Sequence, residues 1–484
     1  MIKEFFKQSA IYTVASVVGR GVSFLLLPFY TRVLTPTDYG TVDILTIFNA
    51  FIGVTIALEI SQGVARYSAD AGSPAERSRY ISTAFWFTLI MLTVFALVCS
   101  LFARPLTRLV LGSADLTAAF QLTVFSTWSY GCLYFAQNQL RWQLQPKLFA
   151  FTSLAVLFVS IGSTIYLVLV QRLGVVGVIG GQLLGNSAGA ALALYWVRDL
   201  LTWTFDWKKF KEMLGFSVPL IPSSMGVVLF TYIDRLAVRE LMSVADVGLL
   251  GIGYRLASSV GWVMVGFQSA MTPLIYSKYR EAATPGAIAR IFRYFVAFTL
   301  LIFLFQALFA PEILTFFTTP PYYAAAQVIP LLIPSIILAQ MYIFAPGLSL
   351  AKKTGAIAVI NIAGALLNTA LNFALIPYLG ISGAAAATLV TTATIFAAYM
   401  VYSQRLYFVP HAWKQLGLAT VIVVGLLLLG IWVEIGFWGN VLFKALLWLG
   451  GAAALIWIGL VEPAVFAQVR GQVYTRLPGR RGMK

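Results

Sequence analysis

The sequence predicts an all-α polytopic membrane protein. About fourteen transmembrane helices would form two parallel six-helix lobes around a central cavity, with two extra C-terminal helices. Of the 484 residues, 60% are hydrophobic and only 10% are charged, and the mean hydropathy is +0.87. Soluble domains carry about 25% charged residues, so these charges are too few to cover soluble surfaces. The apolar runs are continuous and about twenty residues long, as spanning helices require, whereas the strands of a membrane barrel alternate in polarity.

The apolar segments follow one another along the chain with short connections. The longest polar connection, 199–211, separates the sixth predicted helix from the seventh, and the segment 462–484 is basic and rich in Gly and Arg. The predicted helices cover 9–33, 41–66, 80–103, 118–142, 147–171, 175–198, 213–238, 247–277, 290–310, 324–350, 355–377, 381–403, 415–434 and 439–461.

The two halves of the chain repeat one another. Leu34–Gly40 (LTPTDYG) parallels Met242–Gly248 (MSVADVG) at an offset of 208 residues, and Leu101–Ala103 parallels Leu308–Ala310 at an offset of 207. Matches in order at nearly one offset indicate an internal duplication, and six intervening helices keep both copies in the same orientation. The predicted parts are an N-lobe, a C-lobe, a final helix pair and a basic cytoplasmic tail, at 1–205, 206–405, 406–465 and 466–484.

Basic residues are distributed unevenly over the predicted connections. With the N-terminus in the cytoplasm, 24 of the 33 Lys and Arg residues lie inside, six lie outside and three lie within helices. Loops rich in Lys and Arg are retained in the cytoplasm, so this asymmetry predicts cytoplasmic termini. Topology therefore accounts for the formal net charge of +16 without nucleic-acid binding, and an anionic substrate or lipid is the alternative explanation.

Charged and amide side chains inside apolar segments are the strongest candidates for a binding site, because such groups are costly in a bilayer unless they face a cavity or a partner. Arg20 lies midway along the first predicted helix, Ser16 shares its face, and Arg255 lies in the eighth. Guanidinium forks suit phosphate oxygens, which favours a wet cavity for an anionic head group; internal pairing of Arg20 with Asp43 or Glu59 is the alternative. The candidate substrate-binding residues are Ser16, Arg20, Gln62, Arg66, Arg141, Arg255, Asn361, Asn368 and Asn372.

Several of these residues also have a plainer interpretation. Arg66 and Arg141 lie near the predicted cytoplasmic boundary, where basic residues anchor topology. The three asparagines lie at helical spacing on one predicted helix and could simply join helices. Cys99, Cys132 and His411 form no cluster with metal-ligand spacing, so the sequence predicts neither a metal nor a cofactor, and no enzyme constellation emerges.

Other charged residues suggest coupling and gating. Asp43 and Glu59 are the candidates for coupling transport to an ion gradient. A candidate outer gate combines charged residues at the predicted outer ends of the two lobes, although Asp38 and Asp246 are also placed to cap the helices that follow them. The gate candidates are Arg32, Asp38, Asp234, Arg235 and Asp246.

The residues Gly19-Arg20-Gly21, followed by Leu26–Gly40 (LLPFYTRVLTPTDYG), resemble the opening of bacterial polysaccharide flippases of the O-antigen type. The later run Gly253-Tyr254-Arg255 resembles the start of their second lobe. The resemblance extends over essentially the whole chain and implies a member of the multidrug/oligosaccharidyl-lipid/polysaccharide exporter (MOP) superfamily. It also implies a multi-pass protein of the bacterial cytoplasmic (inner) membrane.

Relatives of this type flip polyprenyl-diphosphate-linked oligosaccharides from the cytoplasmic to the outer leaflet, by rocker-switch alternating access, for surface polysaccharides. The implied partners are the lipid-linked oligosaccharide, membrane lipid, a coupling ion (H+ or Na+) and a polysaccharide polymerase, and a monomer would suffice. Two alternatives stay open: a drug/cation antiporter, which would depend on Asp43 or Glu59, and a lipid II flippase, whose arginine-rich early motif is not found. A membrane enzyme would carry a large outer loop with catalytic groups, which this sequence lacks.

Overall fold

The computed structural model describes residues 21, 24, 26–261, 271, 275, 278–433 and 435–460, and every regular element in these ranges is helical. The predicted all-α membrane fold is confirmed. Ten described helices are long and apolar enough to cross a membrane, or eleven if one pair, bent by 43°, counts as a single span. The predicted count of fourteen is not confirmed, and most of the first predicted helix lies outside the described residues.

The helices of the first 200 residues begin and end close to their predicted boundaries. The helix Thr117–Trp142 has 26 residues, which is long enough to span a membrane, but it is too polar to count among the ten apolar spans. These helices are α1 (Leu27–Val33), α2 (Pro36–Thr55), α3 (Ile60–Ala69), α4 (Pro74–Leu101), α5 (Ala103–Leu111), α6 (Thr117–Trp142), α7 (Pro146–Ile165) and α8 (Gly174–Val197).

Two of the remaining predicted helices are divided: the helix predicted over 213–238 is interrupted by a 3-10 turn at Val218–Leu220, and the one predicted over 324–350 by a 3-10 turn at Met341–Phe344. A 3-10 segment, Pro320–Val328, leads into α14. They are α9 (Trp207–Ser217), α10 (Ile221–Leu241), α11 (Val244–Ala257), α12 (Thr284–Leu308), α13 (Ala310–Phe317), α14 (Ile329–Gln340), α15 (Gly347–Leu350), α16 (Thr354–Leu379), α17 (Ile381–Leu406), α18 (Trp413–Trp432) and α19 (Phe437–Trp457).

Local capping explains where two of the helices begin. At α2, Asp38 N donates to Thr35 Oγ1 at 3.2 Å and Thr35 N donates to Asp38 Oδ2 at 2.9 Å, which is a reciprocal capping box ahead of Pro36. At α4, Glu76 N donates to Ser73 Oγ at 3.2 Å. Both caps start their helices five to six residues before the predicted boundary, because polar first turns precede the apolar runs.

Packing divides the described chain into two units. Unit 1 holds the described residues up to Ile252, together with Phe317–Tyr322 and Asn372–Ala384; unit 2 holds Gly253–Phe316, Tyr323–Leu371 and the described residues from Ala385 onward. The predicted lobe boundaries come from the internal repeat and stay a prediction.

In unit 1, glycines let α8 approach α7 closely. A Cβ added at Gly181 would lie 2.0 Å from Thr164 Oγ1, and one added at Gly185 would lie 1.8 Å from Ser160 Oγ. Gly177 lies one helical turn before this pair and also faces α7's continuation. Small residues four apart allow this contact without a hydrophobic driving force between helices.

Polar contacts fasten α9 to α4 within unit 1. Lys209 Nζ donates to Glu76 Oε1 at 2.8 Å and lies 3.9 Å from the centre of the Tyr80 ring. The Tyr80 hydroxyl in turn donates to Glu212 Oε2 at 2.9 Å. The polar connection predicted between the lobes therefore begins a helix that is held against the fourth helix of unit 1.

Unit 2 buries an ion pair and a histidine. Lys444 Nζ of α19 donates to Glu312 Oε1 of α13 at 2.5 Å, which accounts for a lysine inside an apolar segment. His411, 9% exposed, packs edge-on against Phe292 and Trp413, with ring centres 4.7 and 5.1 Å away. Burial lowers the pKa of His411 to about 4, against the opposing effect of a backbone hydrogen bond.

Candidate functional site

The span formed by α2 and α3 is broken where Glu59 lies. The two helices meet at 43°, and Leu58 and Glu59 adopt left-handed backbone conformations with φ of 49° and 52°. Leu58 N donates to Thr55 O and Ile60 N donates to Ala57 O, so tight turns replace the helical pattern. Left-handed residues with side chains cost about 1–3 kcal/mol each and cluster at functional sites, which makes this break a candidate site.

A cavity of about 240 Å³ lies beside the break, within unit 1. Glu59 brings a carboxylate to its wall, and the break in the span leaves that half-buried residue inside a bundle of apolar helices. Four helices, α2, α3, α4 and α6, contribute to the wall. The lining residues are Asn49, Ala50, Ile52, Gly53, Val54, Ala57, Glu59, Ile60, Ser61, Thr88, Leu92, Thr127, Tyr130, Gly131, Tyr134 and Phe135.

The polarity of α6 arises from side chains that join it to its neighbours. The Thr127 hydroxyl is hydrogen-bonded to the side-chain oxygen of Asn49 on α2 at the cavity. Ser129 Oγ lies 3.0 Å from Ser187 Oγ on α8. Hydroxyl groups in hydrocarbon need partners, so these contacts explain how a span this polar is held in the bundle.

Two tyrosines of α6 form an aromatic pair at the cavity. The rings of Tyr130 and Tyr134 have centres 6.2 Å apart and planes tilted by 31°. Although both residues line the cavity, 48% and 41% of their surfaces are exposed. Part of the aromatic and hydroxyl surface of this pair is therefore accessible outside the cavity.

The structure places Arg141 on the same face of α6, in its last turn. Its side chain is exposed, and its guanidinium lies 5.1 Å from the centre of the Phe149 ring. On α3, Arg66 is also exposed and pairs with Asp70 one turn later, and Gln62 is exposed on the same helix. These three predicted substrate residues are accessible, and whether they bind substrate stays a prediction.

Other predicted substrate residues lie apart from this cavity or outside the described residues. Ser16 and Arg20 fall outside the described residues. Arg255 lies half-buried in the last turn of α11. Asn361 is exposed on α16, whereas Asn368 and Asn372 of the same helix are buried.

The asparagines of α16 have different surroundings. Asn368 donates through Nδ2 to Thr391 Oγ1 of α17 at 3.4 Å, within unit 2. Asn372 belongs to unit 1 and is fully buried there. The first contact joins two helices, in line with the plainer interpretation, and the proposed role of the stripe in substrate binding stays a prediction.

Two gate candidates, Asp38 and Asp246, cap helices. Asp38 completes the capping box of α2, and Asp246 N donates to Ser243 Oγ at 3.2 Å at the start of α11. The Ser243 hydroxyl donates back to Asp246 Oδ2 at 2.6 Å. Arg32 is exposed in the last turn of α1. The capping roles are observed, and a gate formed by these three residues stays a prediction.

Asp43 and Arg235 meet within unit 1. Arg235 Nε lies 3.5 Å from Asp43 Oδ2, and the two side chains are 13% and 12% exposed. The neighbouring Asp234 is 2% exposed, and one of its oxygens accepts a hydrogen bond from Arg235 N at 2.8 Å. An ion pair therefore joins α2 to α10 at the ends that the predicted topology places outside.

Close backbone contacts accompany this ion pair. A Cβ at Gly40 of α2 would lie 1.8 Å from Val244 O of α11, and one at Gly248 would lie 2.1 Å from Pro36 O. A Cβ at Gly251 would lie 2.1 Å from Asp43 Oδ2. The glycines of the repeated motif thus lie where the two copies of that motif contact each other.

Hydrogen bonds from Phe317–Tyr322, at the end of α13 and just after it, reinforce the same end of unit 1. Thr31 Oγ1 donates to Phe317 O at 3.2 Å, and Thr319 Oγ1 donates to Thr31 O at 2.9 Å. The Tyr322 hydroxyl donates to Leu34 O at 2.8 Å, fully buried. These contacts close the end of unit 1 at which α1 meets α2.

Sequence reasoning did not single out Asn49, Thr127, Tyr130 or Tyr134. The spacing of the two tyrosines with Arg141 on one helical face was present in the sequence and could have indicated them. Within the described residues, no group of three or more His, Cys, Asp and Glu could hold a metal ion. The chemistry available at the cavity is therefore that of a carboxylate, an amide, hydroxyls and aromatic faces.

Solved membrane transporters share this fold. The lipid II flippase MurJ, in an inward closed conformation, gives a TM-score of 0.74 at 14% identity, covering 94% of this chain and 100% of that chain. An inward-facing multidrug resistance MATE family transporter of the MOP superfamily gives 0.63 at 13% identity, covering 79% and 93%. The protein is a multi-pass membrane protein with the fold of MOP-superfamily transporters.

Sequence comparisons identify the family. Protein 1 of the Lsg locus of Haemophilus influenzae is 22% identical over 287 residues, which cover 57% of this chain and 67% of that protein. A family model described as polysaccharide biosynthesis protein matches residues 29–316, more than half of the chain. The chain belongs to this family of polysaccharide biosynthesis proteins. The resemblance to polysaccharide flippases seen in the sequence alone is thereby confirmed at the level of the family.

Proposed function

We propose that this protein is a flippase that moves a polyprenyl-diphosphate-linked oligosaccharide from the cytoplasmic to the outer leaflet by rocker-switch alternating access. The observation that carries the proposal is the exposed face of α6, where Arg141, Tyr134 and Tyr130 lead to the cavity. A guanidinium binds phosphate oxygens by paired, charge-assisted hydrogen bonds, and tyrosine and amide groups suit sugars. The lipid tail would stay in the bilayer throughout.

The diphosphate is proposed to bind between the lobes at Arg20 and Arg255, after entering past Arg66 and Arg141. The pair between Arg66 and Asp70 supports an entrance role, because its side chains are 56% and 62% exposed. Exposed pairs contribute about 0–1 kcal/mol, so a phosphate with more charge can replace the aspartate at little cost.

An ion gradient of H+ or Na+ is proposed to drive transport through Glu59. Its carboxylate lines a cavity at a broken helix, and broken transmembrane helices supply ion sites in other transporters. Asp43 is the other candidate, but its carboxylate already faces Arg235. A coupling group has to gain and lose a cation, and the position of Glu59 in the cavity wall favours that role.

The second candidate function is a drug/cation antiporter. It is favoured by the same cavity, where Glu59 lies with Tyr130 and Tyr134, because aromatic faces and a carboxylate attract organic cations. A lipid II flippase is the third candidate, on the likeness of the fold to MurJ. The antiporter would export organic cations, and the lipid II flippase would leave lipid II to accumulate when the gene is deleted, so each alternative differs from the proposal in the compound that is transported.

The remaining assignments follow from the flippase proposal. The protein would lie in the bacterial inner membrane with both termini in the cytoplasm and would act as a monomer among membrane lipids. A polysaccharide polymerase that receives the flipped glycan is the candidate protein partner. No catalytic step is assigned to this chain.

Deletion of the gene in its host tests the proposal. We expect undecaprenyl-linked glycans to accumulate on the cytoplasmic side and one surface polymer to be lost. Complementation with Arg20→Ala or Arg141→Gln should fail while the protein is expressed normally, and the exposed Arg104→Gln is the matched control. Unchanged lipid-linked pools with altered sensitivity to cationic dyes would favour the antiporter, and normal export by Arg20→Ala would remove the cationic site from the proposal.

A further inference from the structure

The exposed face of α6 differs in chemistry from that of its neighbour α7. On α7 the corresponding face carries the exposed Lys147 in the first turn, followed by Phe151 and Phe158, which are apolar as lipid contact requires. On α6 the exposed Tyr130, Tyr134 and Arg141 lie on one face, and the exposed Phe125 lies on another. Phenol hydroxyls and a guanidinium form hydrogen bonds that acyl chains cannot satisfy. This face of α6 therefore suits a polar ligand.

The two tyrosines provide an aromatic surface on which the face of a sugar ring can stack. With ring centres 6.2 Å apart and a tilt of 31°, they form one extended aromatic surface. One face of a pyranose ring carries C–H groups, which pack against the negative face of an aromatic ring. The hydroxyls at the rim of the sugar need donors and acceptors, and Asn49 and Glu59 line the same cavity.

We propose that Tyr130 and Tyr134 form a sugar-stacking subsite in unit 1, where one ring of the glycan lies on the tyrosines and its hydroxyls bind Asn49 and Glu59. This inference rests on the proposed flippase function and states where its glycan is recognised. All four residues of this subsite lie in unit 1.

The spacing along α6 supports this assignment. Arg141 follows Tyr134 by seven residues, or two turns on the same face, which is about 10 Å along the helix. A diphosphate that contacts Arg141 thereby brings the sugar attached to it to the level of the two tyrosines.

The size of the cavity limits what it holds. Its volume of about 240 Å³ is smaller than the roughly 300–1,000 Å³ of pockets that enclose drug-sized ligands. One ring fits, and the rest of the oligosaccharide must lie outside along the exposed tyrosines. Recognition of a single ring lets one subsite serve glycans that differ farther from the diphosphate.

Binding measurements on the purified full chain test the subsite. The probes are undecaprenyl diphosphate and the undecaprenyl-diphosphate-linked glycan recovered from the deletion host. We expect wild type to bind the glycan-bearing lipid more tightly, and Tyr134→Leu to lower that affinity about five- to tenfold while leaving the affinity for undecaprenyl diphosphate unchanged. Tyr134→Phe keeps the aromatic face and should keep the preference.

The control is Tyr378→Leu, which removes an exposed tyrosine of unit 1 away from the cavity. If Tyr134→Leu fails to fold, Tyr130→Leu replaces it with the same expectation. Equal binding of both lipids by wild type, or equal loss for both lipids in the leucine variant, would overturn the subsite and leave the flippase proposal standing. Binding of neither lipid by wild type would overturn the flippase proposal, and the subsite with it.

Discussion

The ion pair between Asp43 and Arg235 is expected to hold together the ends of α2 and α10 that the predicted topology places outside, called the outer ends below. The charged groups lie 3.5 Å apart on side chains that are 12% and 13% exposed. At this distance and an effective dielectric constant of about 20, their attraction is about 5 kcal/mol. Desolvation offsets much of this attraction, so we expect a net coupling of about 1–3 kcal/mol.

Asp43→Asn removes the attraction and should populate an open outer end. A loss of about 2 kcal/mol changes the ratio of open to closed protein by a factor of about 30. Gly251→Ala is a second route to the same state, because its Cβ would lie 2.1 Å from Asp43 Oδ2 and would displace that carboxylate. Asp115→Asn, which changes an exposed loop carboxylate, is the matched control.

Pulsed EPR distances report this opening. Spin labels at Thr37 and Leu241, both exposed, would be placed in a Cys99→Ser/Cys132→Ser background, since both native cysteines are free and buried. We expect one short distance in the parent protein and a second, longer one after Asp43→Asn or Gly251→Ala.

Two results would refute this reasoning. One is a folded Asp43→Asn variant that keeps the single short distance. The other is a double-mutant cycle of Asp43→Asn with Arg235→Gln in which the two effects simply add, since independent effects mean that the two charges do not stabilise each other.

Three further predictions concern charged or titratable groups. Glu59→Gln should abolish the dependence of flipping on a pH or sodium gradient; unchanged dependence in a vesicle assay would exclude Glu59 as the coupling group. Because unfolded His411 binds a proton below about pH 6.5 but folded His411 only near pH 4, stability should fall on acidification, by about 2 kcal/mol at pH 5. Thermal melts of His411→Phe in detergent should lose this acid sensitivity, and an identical pH profile would contradict it. Lys444→Met leaves Glu312 buried without its cation and should cost about 3 kcal/mol, with partial recovery in Lys444→Met/Glu312→Gln; equal melting of the single and double variants would show that the pair is not the cause.

Most helices could be predicted from hydropathy because their apolar runs have the length of a span. The six-residue displacement at the start of α4 arises from Ser73 and Pro74, which start the helix in a polar first turn ahead of the apolar run. The break between α2 and α3 was not predicted. Leu58 and Glu59 give no local indication of a left-handed conformation, which glycine usually provides, so only packing around the cavity explains it.

The candidate site was predictable in part. Arg141 was selected from the sequence because a charged side chain near a membrane span is costly unless it faces a cavity or a partner. In the structure it is exposed at the end of α6. Tyr130 and Tyr134 were not selected, because aromatic residues in apolar helices commonly face lipid or the core. Tyr130 and Tyr134 differ from such residues because they line a cavity together with Asn49 and Glu59. This cavity forms only through contacts between helices that are far apart in the sequence.

The residue types of Asp43 and Glu59 do not indicate which of the two couples transport to an ion and which one holds helices together. Both are single carboxylates on the same predicted helix, and the sequence offers them equally as ion-coupling groups. In the structure Asp43 faces the guanidinium of Arg235 and the backbone at Gly251, so its carboxylate joins α2 to α10. Glu59 lies at a left-handed break in a cavity wall. A carboxylate that faces a guanidinium can hold two helices together, whereas a carboxylate at a break in a cavity wall is the one we propose to couple cation binding to the helices on either side.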